Sequence, residues 1–247
     1  MRKNILITGA SSGLGEEMAR QFAALGRNLA LCARRTESLE RLRDELTTAH
    51  PGITVSVASL DVNDHDAVFT VFRAFAEELG ELDRVIVNAG IGKGQPIGTG
   101  AFHANKQTAE TNFVAALAQC EAAMELFRKQ DAGHLVLISS VSALRGFPGN
   151  GTTYAATKAG VSSLAEGIRA DVLRTPIKVS AILPGFIRSE MTSNQRAPFI
   201  VDTHKGVRAM VRAIEQEVGS ACVPRWPWSV LGTVLKALPV RLLARAT

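Results

Sequence analysis

The 247-residue chain contains a single tyrosine, Tyr154, two tryptophans and only 5% aromatic residues. Its three cysteines, Cys32, Cys120 and Cys222, lie far apart in apolar segments. An odd, dispersed set excludes a disulfide framework and fits reduced core thiols in a cytoplasmic protein. The five histidines, His50, His65, His103, His134 and His204, show no metal-ligand spacing, so no metal is expected. No apolar run is long enough to span a bilayer. The first apolar run begins so close to Met1 that no signal peptide is expected. There is no low-complexity segment and no internal repeat. Acidic residues are scarce towards the C-terminus: residues 188–247 hold nine Lys/Arg against four Asp/Glu, which accounts for the whole net charge of +5. The simpler reading of that excess is a solvated face, and an anionic substrate or lipid headgroup is the alternative. No nucleic-acid partner is expected.

What the chain does have is aliphatic residues in a regular order. Short apolar runs at 4–8, 28–33, 53–58, 84–88, 134–139 and 178–183, with a seventh at 221–223, alternate with amphipathic segments. The runs are nearly continuous in Ile, Leu, Val and Ala, as strands buried on both faces require. Leu14, Met18, Phe22 and Leu25 mark one helix, and Val68, Val71, Phe72, Phe75 and Leu79 another; longer helices are expected over 105–129 and 153–173. Strand–helix alternation predicts a single-domain α/β fold over 1–247, a doubly wound parallel sheet of about seven strands with helices on both faces. Ligands of such sheets bind beyond the carboxyl ends of the strands. Residues 186–202 break the alternation and read as a substrate loop.

Directly after the first run comes Thr8-Gly9-Ala10-Ser11-Ser12-Gly13-Leu14-Gly15, and then a helix. Glycines there permit a tight turn and close approach of backbone to a pyrophosphate, which the helix N-terminus attracts. A dinucleotide is therefore expected at this strand–helix junction. The second run ends in Arg34-Arg35, where an NAD site usually carries an acid for the ribose 2′-hydroxyl. Guanidinium groups suit a 2′-phosphate instead. The expected cofactor is NADP(H), with Arg34 as leading contact, Arg35 beside it and Ser11 as helper. The alternative is that both arginines merely open a solvated helix.

Tyr154 stands four residues before Lys158, on one face of the helix expected over 153–173, and Ser139 and Ser140 end the strand upstream. A phenol, an ammonium one turn away and a strand-end hydroxyl make a proton-transfer site. The cation is expected to lower the phenol pKa from about 10 towards working pH. Such a group can exchange a proton with a carbonyl or alcohol oxygen.

Together these residues resemble the short-chain dehydrogenase/reductase family over about 4–223. The resemblance is carried by the glycine pattern, Leu60-Asp61-Val62, Asn88-Ala89-Gly90, Asn112, Ile138-Ser139-Ser140, Tyr154-x-x-x-Lys158 and Pro184-Gly185. It implies a Rossmann fold and a catalytic tetrad of Asn112, Ser140, Tyr154 and Lys158. Tyr154 would be the general acid/base, Ser140 would bind the substrate oxygen, and Lys158 would tune the phenol and hold nicotinamide ribose. Asn112 would hold a water that links Lys158 to solvent. Asp61 and Val62 would flank adenine; Asn88, Ala89, Gly90, Pro184 and Gly185 would line the cofactor, and the Ile187 backbone would meet the carboxamide. Ser140 stands fourteen residues before Tyr154, one more than the family pattern, so Ser139 remains an alternative that the strand-end pattern disfavours.

The substrate is expected to meet Ile91, Ser142, Leu144, Phe147, Phe186, Met191 and Phe199, which suggests a small apolar ketone or secondary alcohol. Lys93, Arg145 and Arg188 are the candidates for reading a carboxylate. The tail 224–247 mixes Trp226 and Trp228 with aliphatic residues and Lys236, Arg241 and Arg245. It suits a helix at a membrane surface, a cover over the substrate mouth or a subunit contact. The family implies a homodimer or homotetramer. The sequence reading is thus an NADP(H)-dependent carbonyl reductase or alcohol dehydrogenase. The alternatives are a lipid or 3-oxoacyl reductase at a membrane surface, and a non-catalytic NADP(H)-sensing scaffold.

Overall fold

The computed structural model describes residues 2–189, 199–237 and 239–243. Seven parallel strands form one sheet: β1 (Asn4–Thr8), β2 (Asn28–Ala33), β3 (Val55–Ser59), β4 (Arg84–Val87), β5 (His134–Ile138), β6 (Lys178–Pro184) and β7 (Ser220–Val223). Their order is β3-β2-β1-β4-β5-β6-β7, so the direction of winding reverses between β1 and β4. That reversal opens a crevice at the carboxyl ends, where the glycine loop lies. The expected seven-stranded parallel sheet with helices on both faces is therefore what the chain forms.

The strands are apolar because both faces are covered. Alternate β1 residues serve opposite cores: Leu6 joins a cluster with Val68, Phe72 and Phe127, while Ile5 and Ile7 join Met18, Phe22 and Met210 on the other face. The first face is covered by α3 (His65–Leu79), α5 (Ala115–Gln130) and α6 (Gly151–Asp171); the second by α1 (Gly13–Ala24), α2 (Thr36–Ala49) and α7 (Thr203–Glu215). Met18 and Phe22 are fully buried as the α1 stripe predicts, but Leu25 is half-exposed because it caps the helix instead of continuing it. The helix expected over 105–129 is α4 (Phe102–Ala109), a π-turn over Glu110–Val114 and then α5.

The amino ends of the strands hold a buried ionic cluster. Arg84, the first residue of β4, is 1% exposed. Its guanidinium donates to Glu215 at the end of α7, to the Ile214 carbonyl (3.3 Å) and, through Nε, to His134 Nδ1 (2.9 Å). Since Nδ1 accepts, the proton sits on Nε2, which is 2.8 Å from Ser180 Oγ; that hydroxyl donates in turn to the Val218 carbonyl (2.6 Å). Arg27 also pairs with Glu215, and Arg2 with Glu217. The cluster ties α7 to β4, β5 and β6.

Burial first, then Arg84 and Arg2, push the His134 pKa down to about 2. In the unfolded chain it titrates near about 6.5. The unfolded state therefore takes up the proton first, and the stability present above that pH is lost as pH falls below it. Urea midpoints measured from pH 7.5 downward are expected to fall from about pH 6.5 in the native chain and less in His134→Gln.

Candidate active site

One cleft of about 490 Å³ lies at the carboxyl ends of the strands, along the crevice. Gly9, Ser11, Ser12, Gly13 and Leu14 line it from the first loop. Gly9 has φ +66°, and a β-carbon there would stand 2.9 Å from Ala89 Cα. At Gly15 one would stand 2.3 Å from the Gly9 carbonyl oxygen, a backbone atom that cannot swing aside. The loop is thus folded flat against the end of β4. Thr8 fixes that junction: its buried hydroxyl accepts from the backbone N–H groups of Asn88 (3.0 Å) and Ala89 (3.1 Å). Asn88 Nδ2 donates back to the Thr8 carbonyl at 2.9 Å. Ser12, at the start of α1, makes no side-chain cap, so no side chain there competes for the helix's first N–H groups.

Arg34 and Arg35 both line the cleft and are exposed. Arg35 Nε donates to Ser11 Oγ at 3.2 Å, bridging β2 and the glycine loop. Arg34 makes no ion pair among the described residues. Asp61, Val62, Asn88, Ala89, Gly90, Pro184, Gly185 and Ile187, which the resemblance assigns to the cofactor, line the cleft. Asp61 accepts from the backbone and side chain of Asn63 (3.0 and 2.9 Å). These features fit a dinucleotide: a bare helix N-terminus, a flat glycine turn, and an unpaired cation at the end of β2.

Ser140, Tyr154 and Lys158 meet at the other end of the cleft. The spacing left Ser139 and Ser140 open; the geometry separates them. Ser139 Oγ is buried, donating to the Lys158 carbonyl (2.8 Å) and paired with Ser162 (2.8 Å). Ser140 Oγ instead faces the cleft with Tyr154 and accepts from the Ser142 N–H at 3.1 Å.

The electrostatics differ from the sequence expectation. Burial raises the Tyr154 pKa, and the nearby Ser140 hydroxyl only partly opposes it. Lys158 Nζ lies 5.9 Å from the tyrosine ring centroid and donates to the Ile138 carbonyl (2.8 Å). Burial without an acidic partner among the described residues lowers the Lys158 pKa to about 8. Burial thus favours the neutral form of the phenol, and Lys158 does not depress it.

Asn112 stands in the π-turn, 1% exposed. Its Nδ2 donates to the Ile91 carbonyl (2.8 Å), and its Oδ1 accepts the Ile91 N–H (2.8 Å). The side chain thus clamps the loop after β4, beside Gly90 and Lys158. Sequence reasoning assigned it a water and missed the clamp.

Of the expected substrate residues, Ile91 lines the cleft. Ser142, Phe147 and Phe186 lie outside its lining, and Met191 falls outside the described residues. Lys93, Gln107 and Ser189 add polar groups. Trp228 of α8 (Arg225–Ala237) lies in the tail for which the sequence leaves open a membrane helix, a cover over the substrate mouth or a subunit contact. It is 4% exposed and packs edge-on to Phe186, with centroids 5.3 Å apart. A β-carbon on Gly185 would stand 2.0 Å from its Nε1, so the indole lies directly on the backbone that borders the cleft.

Residues 3–198 match the short chain dehydrogenase family model. An uncharacterized oxidoreductase of Mycobacterium tuberculosis is 54% identical over 245 residues, covering 99% of this chain and 97% of that one. An uncharacterized oxidoreductase of Myxococcus xanthus is 35% identical over 239 residues, 96% of this chain and 93% of that one. The solved short-chain dehydrogenase from Sphingobium yanoikuyae, in complex with NADPH, superposes with a TM-score of 0.82 at 26% identity, covering 95% of this chain and 94% of that one. The chain belongs to the short-chain dehydrogenase family of oxidoreductases.

Proposed function

We propose that this chain is an NADP(H)-dependent carbonyl reductase, in which one domain binds the cofactor and reduces an apolar ketone to a secondary alcohol. The observation that carries the reading is the meeting of Ser140, Tyr154 and Lys158 at one end of a cleft whose other end is the glycine loop. Gly9, Gly13, Gly15 and the start of α1 would hold the pyrophosphate, Arg34 the 2′-phosphate, and Asp61 and Val62 the adenine. The nicotinamide, when bound, supplies the hydride. Ser140 orients the substrate carbonyl and stabilises charge as it develops on oxygen. Tyr154 gives its proton to that oxygen. Lys158, held by Ile138, stabilises the resulting phenolate and holds ribose hydroxyls. Asn112 fixes the Ile91 backbone, which forms the wall beside them. The NADPH complex of the Sphingobium relative supports the cofactor choice. A homo-oligomer built on α5 and α6 fits the exposed Val114 and Leu117 on that side.

The test is to titrate with NADPH and NADH, then follow NADPH oxidation against aliphatic, aryl and acyl ketones. Selective NADPH binding with turnover of a bulky apolar ketone is expected. Arg34→Asp is expected to weaken NADPH by about 1–3 kcal/mol, roughly tenfold or more, and to leave NADH nearly unchanged. Equal loss for both cofactors would remove the 2′-phosphate role. Tight binding without turnover on every ketone would favour the sensing scaffold.

A further inference from the structure

Helix α8 carries apolar residues on two sides, and only one side is covered. Its inner side is fastened to the mouth of the cleft. Trp228 lies on Gly185, Gly232 packs so close to Leu144 that a β-carbon would stand 2.7 Å from Leu144 Cδ1, and Arg145 reaches the Lys236 carbonyl at 3.5 Å. Its outer side presents Val230 at 52% and Val234 at 50% exposure, four residues apart and hence on one face, and Trp226, in an extended kink at the start of the helix, is 76% exposed. Val240, just beyond, is 68% exposed. The exposed Ser229 and Thr233 run beside this stripe, so the helix is amphipathic on its outer side, and contiguous exposed aromatic and aliphatic groups of this kind mark a contact surface.

Charge identifies the cover. After Glu217 the chain has no acidic residue, whereas it has four basic ones, Arg225, Lys236, Arg241 and Arg245. Arg225, Lys236 and Arg241 are exposed and make no side-chain ion pair among the described residues. An aromatic and aliphatic stripe flanked by unpaired cations, without an acid, matches the surface of an anionic bilayer: apolar groups enter the acyl boundary while cations meet headgroups. A second copy of this cationic face would set like charges against each other. No described helix is long and apolar enough to cross a membrane, so the contact is with the surface.

We propose that the outer face of α8 docks on an anionic lipid surface and sets the cleft mouth beside it. Resting on the reductase reading above, this makes the substrate a ketone that partitions into lipid and reaches Gly185 and Phe186 from the bilayer side.

The binding claim is tested without turnover. The full chain is floated with vesicles of phosphatidylcholine alone and with added phosphatidylglycerol, at low and high salt. Trp226 reports directly: in Trp228→Phe it is the only indole left, and its emission is expected to shift to the blue on insertion. Binding to phosphatidylglycerol vesicles, weakened by salt, is expected. Val230→Asp with Val234→Asp should reduce it by about tenfold or more, at unchanged NADPH affinity and thermal midpoint. Should that variant unfold, Lys236→Ser with Arg241→Ser replaces it and should reduce binding to the anionic vesicles. No flotation with either vesicle would overturn the proposal. So would equal, salt-insensitive binding to both, or conversion of a native oligomer to monomer by the aspartates, which would make a second copy the occupant. Failure of NADPH turnover alongside anionic flotation would strike the reductase reading and leave the docking face standing.

Discussion

Tyr154→Phe is expected to lower ketone turnover by about a thousandfold while NADPH still binds, because it removes one oxygen and its proton and leaves the ring in place. The loss should fall on kcat, since the ring still lines the cleft and the Ser140 hydroxyl can still meet the substrate carbonyl. Single-turnover mixing of NADPH-loaded protein with ketone separates the two parameters. A decline within about tenfold would assign the proton to another donor and sink the reading. The native pH profile provides a second check. Burial raises Tyr154, so the acid form needed for reduction is retained at neutral pH. Lys158 is lowered to about 8, so the charge that stabilises the phenolate is lost as pH rises through that value. Reduction is therefore expected to slow above about pH 8, and Lys158→Met should remove that step from the profile along with most of the activity.

Glu215→Gln is expected to be the most destabilising single change of comparable size in the chain. Arg84 has no access to water and would keep its charge with only the more distant Glu217 carboxylate at 3.9 Å, the neutral His134 ring and the Ile214 carbonyl as partners. Removing one member of a buried ion pair costs about 3–5 kcal/mol, because the other charge remains desolvated. For a chain of this size that is a fall of roughly 6–20 °C in thermal midpoint. Burial by itself would raise the Glu215 pKa, but hydrogen bonds from Arg84 and Arg27 outweigh it and hold the carboxyl below its ordinary value. Its contribution is present above that ordinary value and disappears as pH falls through the lowered one. Differential scanning calorimetry at pH 7 and at pH 4 tests both statements: the gap between native and variant should narrow in acid. A gap independent of pH would mean that the amide disturbs packing and not charge.

The strands were legible because burial on both faces writes itself as unbroken aliphatic runs. All seven were placed within about two residues, the usual uncertainty of a boundary. The glycine loop was legible because its residues are contiguous and their backbone requirements are local. Helix α2 was passed over although Leu39, Leu42 and Leu46 mark its buried side, since charged residues occupy nearly everything between them. Other features depend on residues far apart in sequence. Arg84 meets Glu215 across 131 positions, and neither residue is unusual in its own segment. The pairing of Trp228 with Gly185 is equally remote. Electrostatics failed for another reason. One helical turn between Tyr154 and Lys158 fixes which face they share, but the Ile138 carbonyl decides where the ammonium goes.

The π-turn at Glu110–Val114 makes the site sensitive to insertions and deletions more than to side-chain exchange. An α-helix advances about 100° per residue, and a π-turn accommodates one residue beyond the regular count. Loss of any one residue from this turn would let α4 run straight into α5. Either Asn112 would then rotate away from Ile91, or all of α5 would rotate and carry its own Ala115, Ala116, Ala122 and Ala123, the small residues that let it lie against the sheet, out of that contact. Drift by point substitution can remodel the cleft wall freely around this helix, whereas a shift in residue count within it carries a register error through the rest of the layer.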